Sequence, residues 1–214
     1  MTARHRPGTR DPLQHRVIEV LSAFILGLAT VGTGWCAYQS AQWNQRASAD
    51  SQASADARTE GTRLYNLATT SVAYDTNVIT AYADAVASDQ PELAELYNDV
   101  LVRPDFRPIL NRWKADLARG ETPTNLIEDQ DYIDGLFGPY READTRADKL
   151  ARSGVQDGRN AIDYLVATVL LAMTLFFAGV TNVFRGTTVK LISVSAAGLV
   201  LALAASRITG LPVS

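Results

Sequence analysis

VIEVLSAFILGLATVGTGWCAY, residues 17–38, is the stretch that decides the fold class. A helix rises about 1.5 Å per residue, so this run is long enough to cross a hydrocarbon core of roughly 30 Å. The segment before it, residues 1–16, is basic through Arg4, Arg6, Arg10 and Arg16, with only Asp11 opposing them. A cleaved signal peptide is the rival reading, but its apolar region should run about 7–15 residues and end in a small-x-small site. Here the run is longer and ends in Trp35-Cys36-Ala37-Tyr38. Nor does Thr33-Gly34-Trp35-Cys36 resemble a lipoprotein lipidation box. An uncleaved anchor is expected.

Two more stretches have the same character. Residues 161–184 are interrupted only by Asp163 near the start, and residues 187–208 carry Lys190 near one end and Arg207 at the other. Charges so placed can snorkel to an interface, so they read as anchors rather than as a buried relay. The positive-inside rule then sets the orientation. The arginine-rich residues 1–16 form a cytoplasmic tail, and residues 17–38, 161–184 and 187–208 are three transmembrane helices. Arg185 and Lys190 fall in the short cytoplasmic turn between the second and third, which agrees with the first signal. Residues 39–160 are extracytoplasmic, and the C-terminus is outside.

Composition narrows the function. Mean hydropathy is near zero, but that average hides the segregation of apolar spans from a charged middle. A net charge of −3 and the lack of a dense basic run argue against a nucleic-acid partner. The single cysteine, Cys36, excludes a disulfide framework or a thiolate metal cluster within one chain. Abundant alanine, with arginine far above lysine, is the usage of GC-rich bacteria.

The middle region reads as helical. Residues 39–88 hold no proline and one glycine, Gly61. Tyr65, Ala68, Val72, Ile79, Tyr82 and Val86 form an apolar seam stepping by three and four, with Asp75 in its one polar gap. Residues 46–59 offer little apolar surface beyond Ala47, Ala49, Ala53, Ala55 and Ala57, so they need a partner helix. Residues 140–160 supply one. A two-helix stalk is therefore expected from residues 39–61 and 140–160, with a head from residues 62–139. Within the head, Pro91 suits the first turn of a helix reaching Val102, capped by Asp89. A second helix runs from Pro108 to Arg119 and stops at Gly120. Residues 120–139, rich in Gly, Pro, Asn and Asp, are expected to be a long loop.

The catalytic vocabulary is thin. Both histidines, His5 and His15, lie in the basic tail, so the head has no Ser–His triad, Cys–His pair or histidine zinc site. No phosphate-binding or dinucleotide glycine pattern occurs. The acidic run Glu128, Asp129, Asp131, Asp134 resembles a calcium loop only in part. Starting from Asp129, Ile133 falls at position five, Asp134 replaces the required glycine, and Tyr140 replaces the terminal glutamate. A turn-forming acidic loop without a metal is expected, and no cofactor.

Trp35, Tyr38 and Trp43, with Gln39 and Gln42 between them, project within one broad helical face. They read as an interfacial aromatic belt, or as a face whose glutamines bond a neighbouring helix. Small residues repeat at spacing four: Ala23 with Gly27, Thr30 with Gly34, Ser193 with Ala197, and Gly198 with Ala202. Such faces favour a homo-oligomer or a second membrane protein as partner, beside the lipid bilayer itself. The candidate interface residues are Trp35, Tyr38, Gln39 and Trp43 at the first span, and Tyr65, Val72, Ile79 and Tyr82 along the seam.

Three motifs carry a family resemblance. They are the run from Ala29 through Thr30-Val31-Gly32-Thr33-Gly34-Trp35-Cys36-Ala37-Tyr38 to Gln39 followed by Trp43; Arg103-Pro104-Asp105-Phe106-Arg107-Pro108 with Trp113; and Leu175-Phe176-Phe177-Ala178-Gly179. In these, and in the order of one span, a helical loop and two spans, the chain resembles uncharacterised bacterial three-span membrane proteins of a domain of unknown function. That resemblance covers most of the chain and implies architecture, with no activity to carry over and no role for Cys36. The expectation is an all-α membrane protein that is not an enzyme: an oligomeric scaffold or accessory subunit using its extracytoplasmic helical domain for protein interaction. The alternatives are an extracytoplasmic sensor that needs a separate signalling partner, or a small channel or transporter subunit.

Overall fold

The computed structural model describes residues 12–122, 125–183 and 186–214. Residues 1–11, with Arg4, Arg6, Arg10 and His5, lie outside the described residues, as does Arg185. Among the described residues the chain is all-helical: α1 (Pro12–Ala87), α2 (Pro91–Leu96), a π-helical turn (Tyr97–Leu101), α3 (Arg107–Ala118), α4 (Gln130–Val183) and α5 (Thr187–Ile208). Three helices, α1, α4 and α5, contain stretches long and apolar enough to cross a membrane. The chain divides into two compact units, Met1–Asp50 with Arg152–Ser214, and Ser51–Ala151. Composition alone puts the boundaries at residues 38/39 and 160/161. Composition marks where charge begins, whereas packing marks which residues share a core.

In the first unit the inward stripe of α1 is Ser22, Ile25, Ala29, Gly32, Cys36, Gln39 and Trp43, stepping by three and four. It packs on Ala161, Tyr164, Ala167 and Leu171 of α4 and on Ala204 of α5, while Ile25 joins Ala178, Val194 and Ala197. So many alanines at the contact let helix backbones approach closely, which is how helices associate when there is little hydrophobic gain between them. Gly32 marks the tightest point, where an added Cβ would lie 3.1 Å from Leu171 Cδ1. Buried hydroxyls link the helices: Ser22 Oγ donates to the Ala178 carbonyl at 3.0 Å, and Ser40 Oγ to the Ala161 carbonyl at 2.9 Å. Large apolar side chains such as Val17, Phe24, Val31, Ile162, Phe176, Ile192 and Leu199 point outward. That is the inverse of a water-soluble bundle.

In the second unit the inward stripe of α1 is Ser54, Ala57, Gly61, Leu64, Ala68, Ser71, Asp75, Val78, Tyr82 and Ala85. This corrects the expected seam. Of the expected members, Ala68, Asp75 and Tyr82 lie on it, Ile79 is buried in the same core as Val78, and Val72 packs against that core. Tyr65 and Val86 are exposed, and Ser71, Val78 and Ala85 are buried as well. Small residues define the line of closest approach, and the larger apolar ones flank it. Residues 54–61 of α1 pair with residues 140–148 of α4, through Ser54 Oγ donating to the Ala147 carbonyl at 2.8 Å and an Arg58–Asp148 ion pair at 3.1 Å.

Three local expectations change. Asp89 does not cap α2, whose N-cap is Gln90 without a side-chain cap bond. Asp89 instead ends α1: at φ 55° it takes the left-handed position, with Gln90 N–H on the Ala85 carbonyl and Asp89 N–H on the Val86 carbonyl. Gly120 ends α3 in the same way at φ 74°, with Glu121 N–H on the Asp116 carbonyl and Gly120 N–H on the Leu117 carbonyl. The helix from Pro91 stays α-helical only to Leu96 and then widens into the π-helical turn, closed by Val102 N–H on the Tyr97 carbonyl.

The long loop also shrinks, because α4 begins at Gln130 rather than near Tyr140. Pro139 sits inside it, and its missing N–H leaves the Gly135 carbonyl without a helical partner. Both residues are exposed, so water can take that place, and Gly135 has no side chain to crowd the proline ring. Pro123 and Thr124, from the same expected loop, lie outside the described residues.

Candidate functional site

The most unusual chemistry in the second unit is a buried carboxylate. Asp75 on α1 is completely buried among Val78, Ile79, Val102, Phe106, Leu110, Leu126 and Tyr132. A lone charge there would be prohibitive. It is held bidentately by Arg103, Nε to Oδ1 at 3.0 Å and Nη2 to Oδ2 at 2.6 Å, and Tyr132 Oη donates to Oδ2 at 2.8 Å. Each partner is set by its own local structure. Arg103 sits in the short segment between the π-helical turn and α3, where Phe106 and Arg107 N–H groups both close on the Arg103 carbonyl. Tyr132 stands in the first turn of α4, its ring edge-on to Phe106 at 5.5 Å.

Burial, reinforced by the Asp75 bond, pushes the Tyr132 hydroxyl well above its ordinary range. The Asp75 bond likewise raises Arg103. Tyr132 is therefore a fixed neutral donor and Arg103 a fixed cation. Neither is poised to move a proton near neutrality, and the arrangement joins α1, the segment before α3, and α4.

Beside this triad opens a cavity of ≈ 340 Å³, lined by Arg103, Asp105, Ile109, Asp131, Tyr132, Gly135 and Leu136. Of the acidic run, Asp131 lines it, and Asp129, Asp131 and Asp134 have protein partners. Asp129 is the N-cap of α4, accepting Tyr132 N–H at 3.1 Å, and pairs with Arg112. Asp131 meets the same Arg112 at 3.1 Å. Asp134 accepts from Gln130 at 2.9 Å and pairs with Arg141, whose hydrogen bond holds its carboxyl below the usual range. Among the described residues no cluster of three His, Cys, Asp or Glu groups is arranged to hold a metal.

The candidate interface residues are not one surface. Trp35 and Tyr38 point outward, their ring centroids 6.1 Å apart. Gln39 and Trp43 point inward and are buried. The broad face expected for these residues is thus split: Gln39 and Trp43 lie on the inward stripe, and Trp35 and Tyr38 lie off it. Tyr65 rests edge-on against Phe137 and Tyr140 at 5.7 and 5.4 Å. Val72 is half-buried against the core that contains Ile79, and Tyr82 is half-buried beneath the Lys114 ammonium, 4.7 Å above its ring.

Sequence reasoning missed the partners of Asp75, of Gln39 and of Lys190. The polar gap in the seam was a usable signal, since a buried carboxylate demands a cation and Arg103 is flanked by apolar residues. Lys190 pairs with Glu19 at 3.5 Å, tying the start of α5 to the start of the first apolar stretch. Asp163 is exposed on the outer surface of α4.

Unlike that buried core, the same unit also exposes a set of apolar side chains. Tyr74 Oη donates to the Leu101 carbonyl at 2.9 Å, and Leu96, Val100 and Leu101 of the adjoining α2 and π-helical turn are exposed with it. Comparison with protein-family models, with curated proteins and with solved structures finds no match for this chain.

Proposed function

We propose that the chain is a non-enzymatic, multi-pass protein of a bacterial inner membrane that acts as a scaffold or accessory subunit, its second unit docking a protein partner outside the cytoplasm. One observation supports this reading: Tyr74, Leu96, Val100 and Leu101 stand exposed on the charged second unit, with Tyr74 bonded to the Leu101 carbonyl. Large apolar side chains exposed together on such a unit offer a place for another protein to sit. The π-helical turn beneath them is a device found often at functional sites.

The proposed orientation rests on charge. Arg16 and the Glu19–Lys190 pair lie towards one end of the first unit, the end that the positive-inside rule assigns to the cytoplasm. Self-association within the membrane is supported by Ala23, Gly27, Thr30 and Gly34, which form an exposed stripe of small residues on α1.

A second reading, an extracytoplasmic sensor with a separate signalling partner, is favoured by the ≈ 340 Å³ cavity beside Arg103 and Asp105. A small-molecule site of that size suits a compact ligand. Gentle solubilisation followed by light scattering and mass spectrometry separates the two. In the scaffold reading the wild-type protein travels with a stoichiometric partner or as an oligomer, and Leu96→Asp with Val100→Asp releases the partner. Retention of the partner by that double variant, with its loss in Asp105→Ala, would favour the cavity instead.

A further inference from the structure

The segment that follows α5 makes specific contacts with α1 and α4. After α5 ends, Gly210 N–H closes on the Arg207 carbonyl and Leu211 N–H on the Ile208 carbonyl, which turns the chain out of the helix. Pro212 then cannot continue it. Residues 209–214 form a short non-helical segment with three attachments to α1 and α4, at Leu211, Pro212 and Ser214. Leu211 packs on the buried cluster that includes Cys36, Trp43, Ala161 and Tyr164. The Pro212 carbonyl receives two donors, Trp43 Nε1 from α1 at 3.2 Å and Tyr164 Oη from α4 at 3.1 Å. Ser214 gives both its N–H and its Oγ–H to Gln39 Oε1, at 3.0 and 2.6 Å. Val213, between them, points outward.

We infer that residues 209–214 are a latch that fastens the C-terminal end of α5 to α1 and α4, with Gln39, Trp43 and Tyr164 as its keeper. The burial of the keeper is the reason. Gln39 and Tyr164 are each 1 % exposed and Trp43 is 8 % exposed, and all three are polar at the tip. Buried amides, phenols and indoles must find partners, and an orphaned one loses its whole desolvation cost. The segment supplies those partners as backbone groups and one hydroxyl, so opening the latch leaves three buried polar groups without them. An interfacial aromatic belt would leave Trp43 facing lipid, and here it faces the chain's own tail. The site is also selective in form, because it takes an extended segment presenting an apolar side chain, a carbonyl without a neighbouring N–H at proline, and a donor two residues on.

Hydrogen exchange of the C-terminal peptide, measured on the full chain in nanodiscs, tests the latch. In the wild type the Ser214 amide exchanges slower than in a free peptide by about tenfold or more, the protection expected of a closed hydrogen bond. Gln39→Met keeps side-chain volume but removes the acceptor, and raises exchange at Ser214 to the free-peptide rate while α5 stays protected. Ser214→Ala, which disturbs no buried side chain, removes only the hydroxyl bond and lowers protection by a smaller factor after correction for intrinsic rates. Tyr164→Phe leaves Trp43 still donating to Pro212 and loosens the segment less than Gln39→Met. Free-peptide exchange at Ser214 in the wild type would overturn the latch, and so would wild-type protection in both Gln39→Met and Ser214→Ala.

Discussion

The two compact units share helices α1 and α4 and hold them by different means. The first unit is packed through Ala29, Ala161, Ala167, Ala178, Ala197 and Ala204 together with Ile25, Trp43, Tyr164 and Leu171. Its buried polar groups are hydroxyls such as Ser22 bonded to carbonyls of the neighbouring helix. The second also buries alanines, but adds a core of Val78, Ile79, Val102, Phe106, Leu110 and Tyr132 beside one buried charge, Asp75. Where lipid would be the solvent, burying apolar area gains little, and close approach of small residues has to serve. Where water is the solvent, apolar area is the main driving force and a buried charge demands a dedicated partner.

The largest expected effect breaks the second unit. Arg103→Leu leaves the Asp75 carboxylate buried with only Tyr132 to bond it, and should cost about 3–5 kcal/mol. Ile79→Glu places a new charge in the same core and should be similarly severe; Val72→Glu, at a half-buried site, should cost less. Thermal unfolding followed by circular dichroism should show the loss of a transition from the second unit, with the helicity of the first retained.

Tyr132→Phe comes next, removing one hydrogen bond to a charged group at about 1.5–3 kcal/mol. It also carries a signature in pH. The folded Tyr132 titrates above its unfolded value, so its contribution is intact below the unfolded pKa of about 10 and is lost as pH rises beyond that. Wild-type stability should therefore fall on the alkaline side, and Tyr132→Phe should flatten that fall.

The matching substitutions in the first unit should be milder. Gly32→Val presses on Leu171 and should cost about 1–3 kcal/mol. Ser22→Ala, which removes buried polar contacts to Ala178 and Thr181, should cost only about 0.6 kcal/mol, the average for such bonds between helices in lipid. A loss at Ser22 as large as that at Tyr132 would erase the contrast between the units. The smallest effect is expected at Asp131→Ala, since Arg112 keeps Asp129 and the cap on α4 is untouched. Unfolding with and without added calcium should superimpose for Asp131→Ala and the wild type.

The sequence made some of this legible and left the rest hidden for physical reasons. Over their described residues, the apolar runs at 17–38, 161–184 and 187–208 fall within helices long and apolar enough to span a membrane, and Gly120 stops its helix as its backbone freedom predicts. Such features depend on local composition or on a single glycine. Pro139 misled, because a proline inside an apparent loop looks like a boundary, whereas an exposed helix with Gly135 one turn earlier absorbs it. The seam was displaced because large apolar residues draw attention, while Gly61, Ser71 and Ala85 occupy the line of closest approach. The pairing of Asp75 with Arg103 and Tyr132, and of Gln39 with Ser214, spans distances in sequence that no periodicity encodes.

A photo-crosslinking amino acid placed at Val100 in the full chain, activated in native membranes, tests the docking claim most directly. Glu142, exposed on the α4 part of the same unit, is the control position. The account predicts a discrete adduct from Val100, with one protein or a second copy of the chain, and none from Glu142. No adduct from Val100, or the same adducts from both positions, would contradict it.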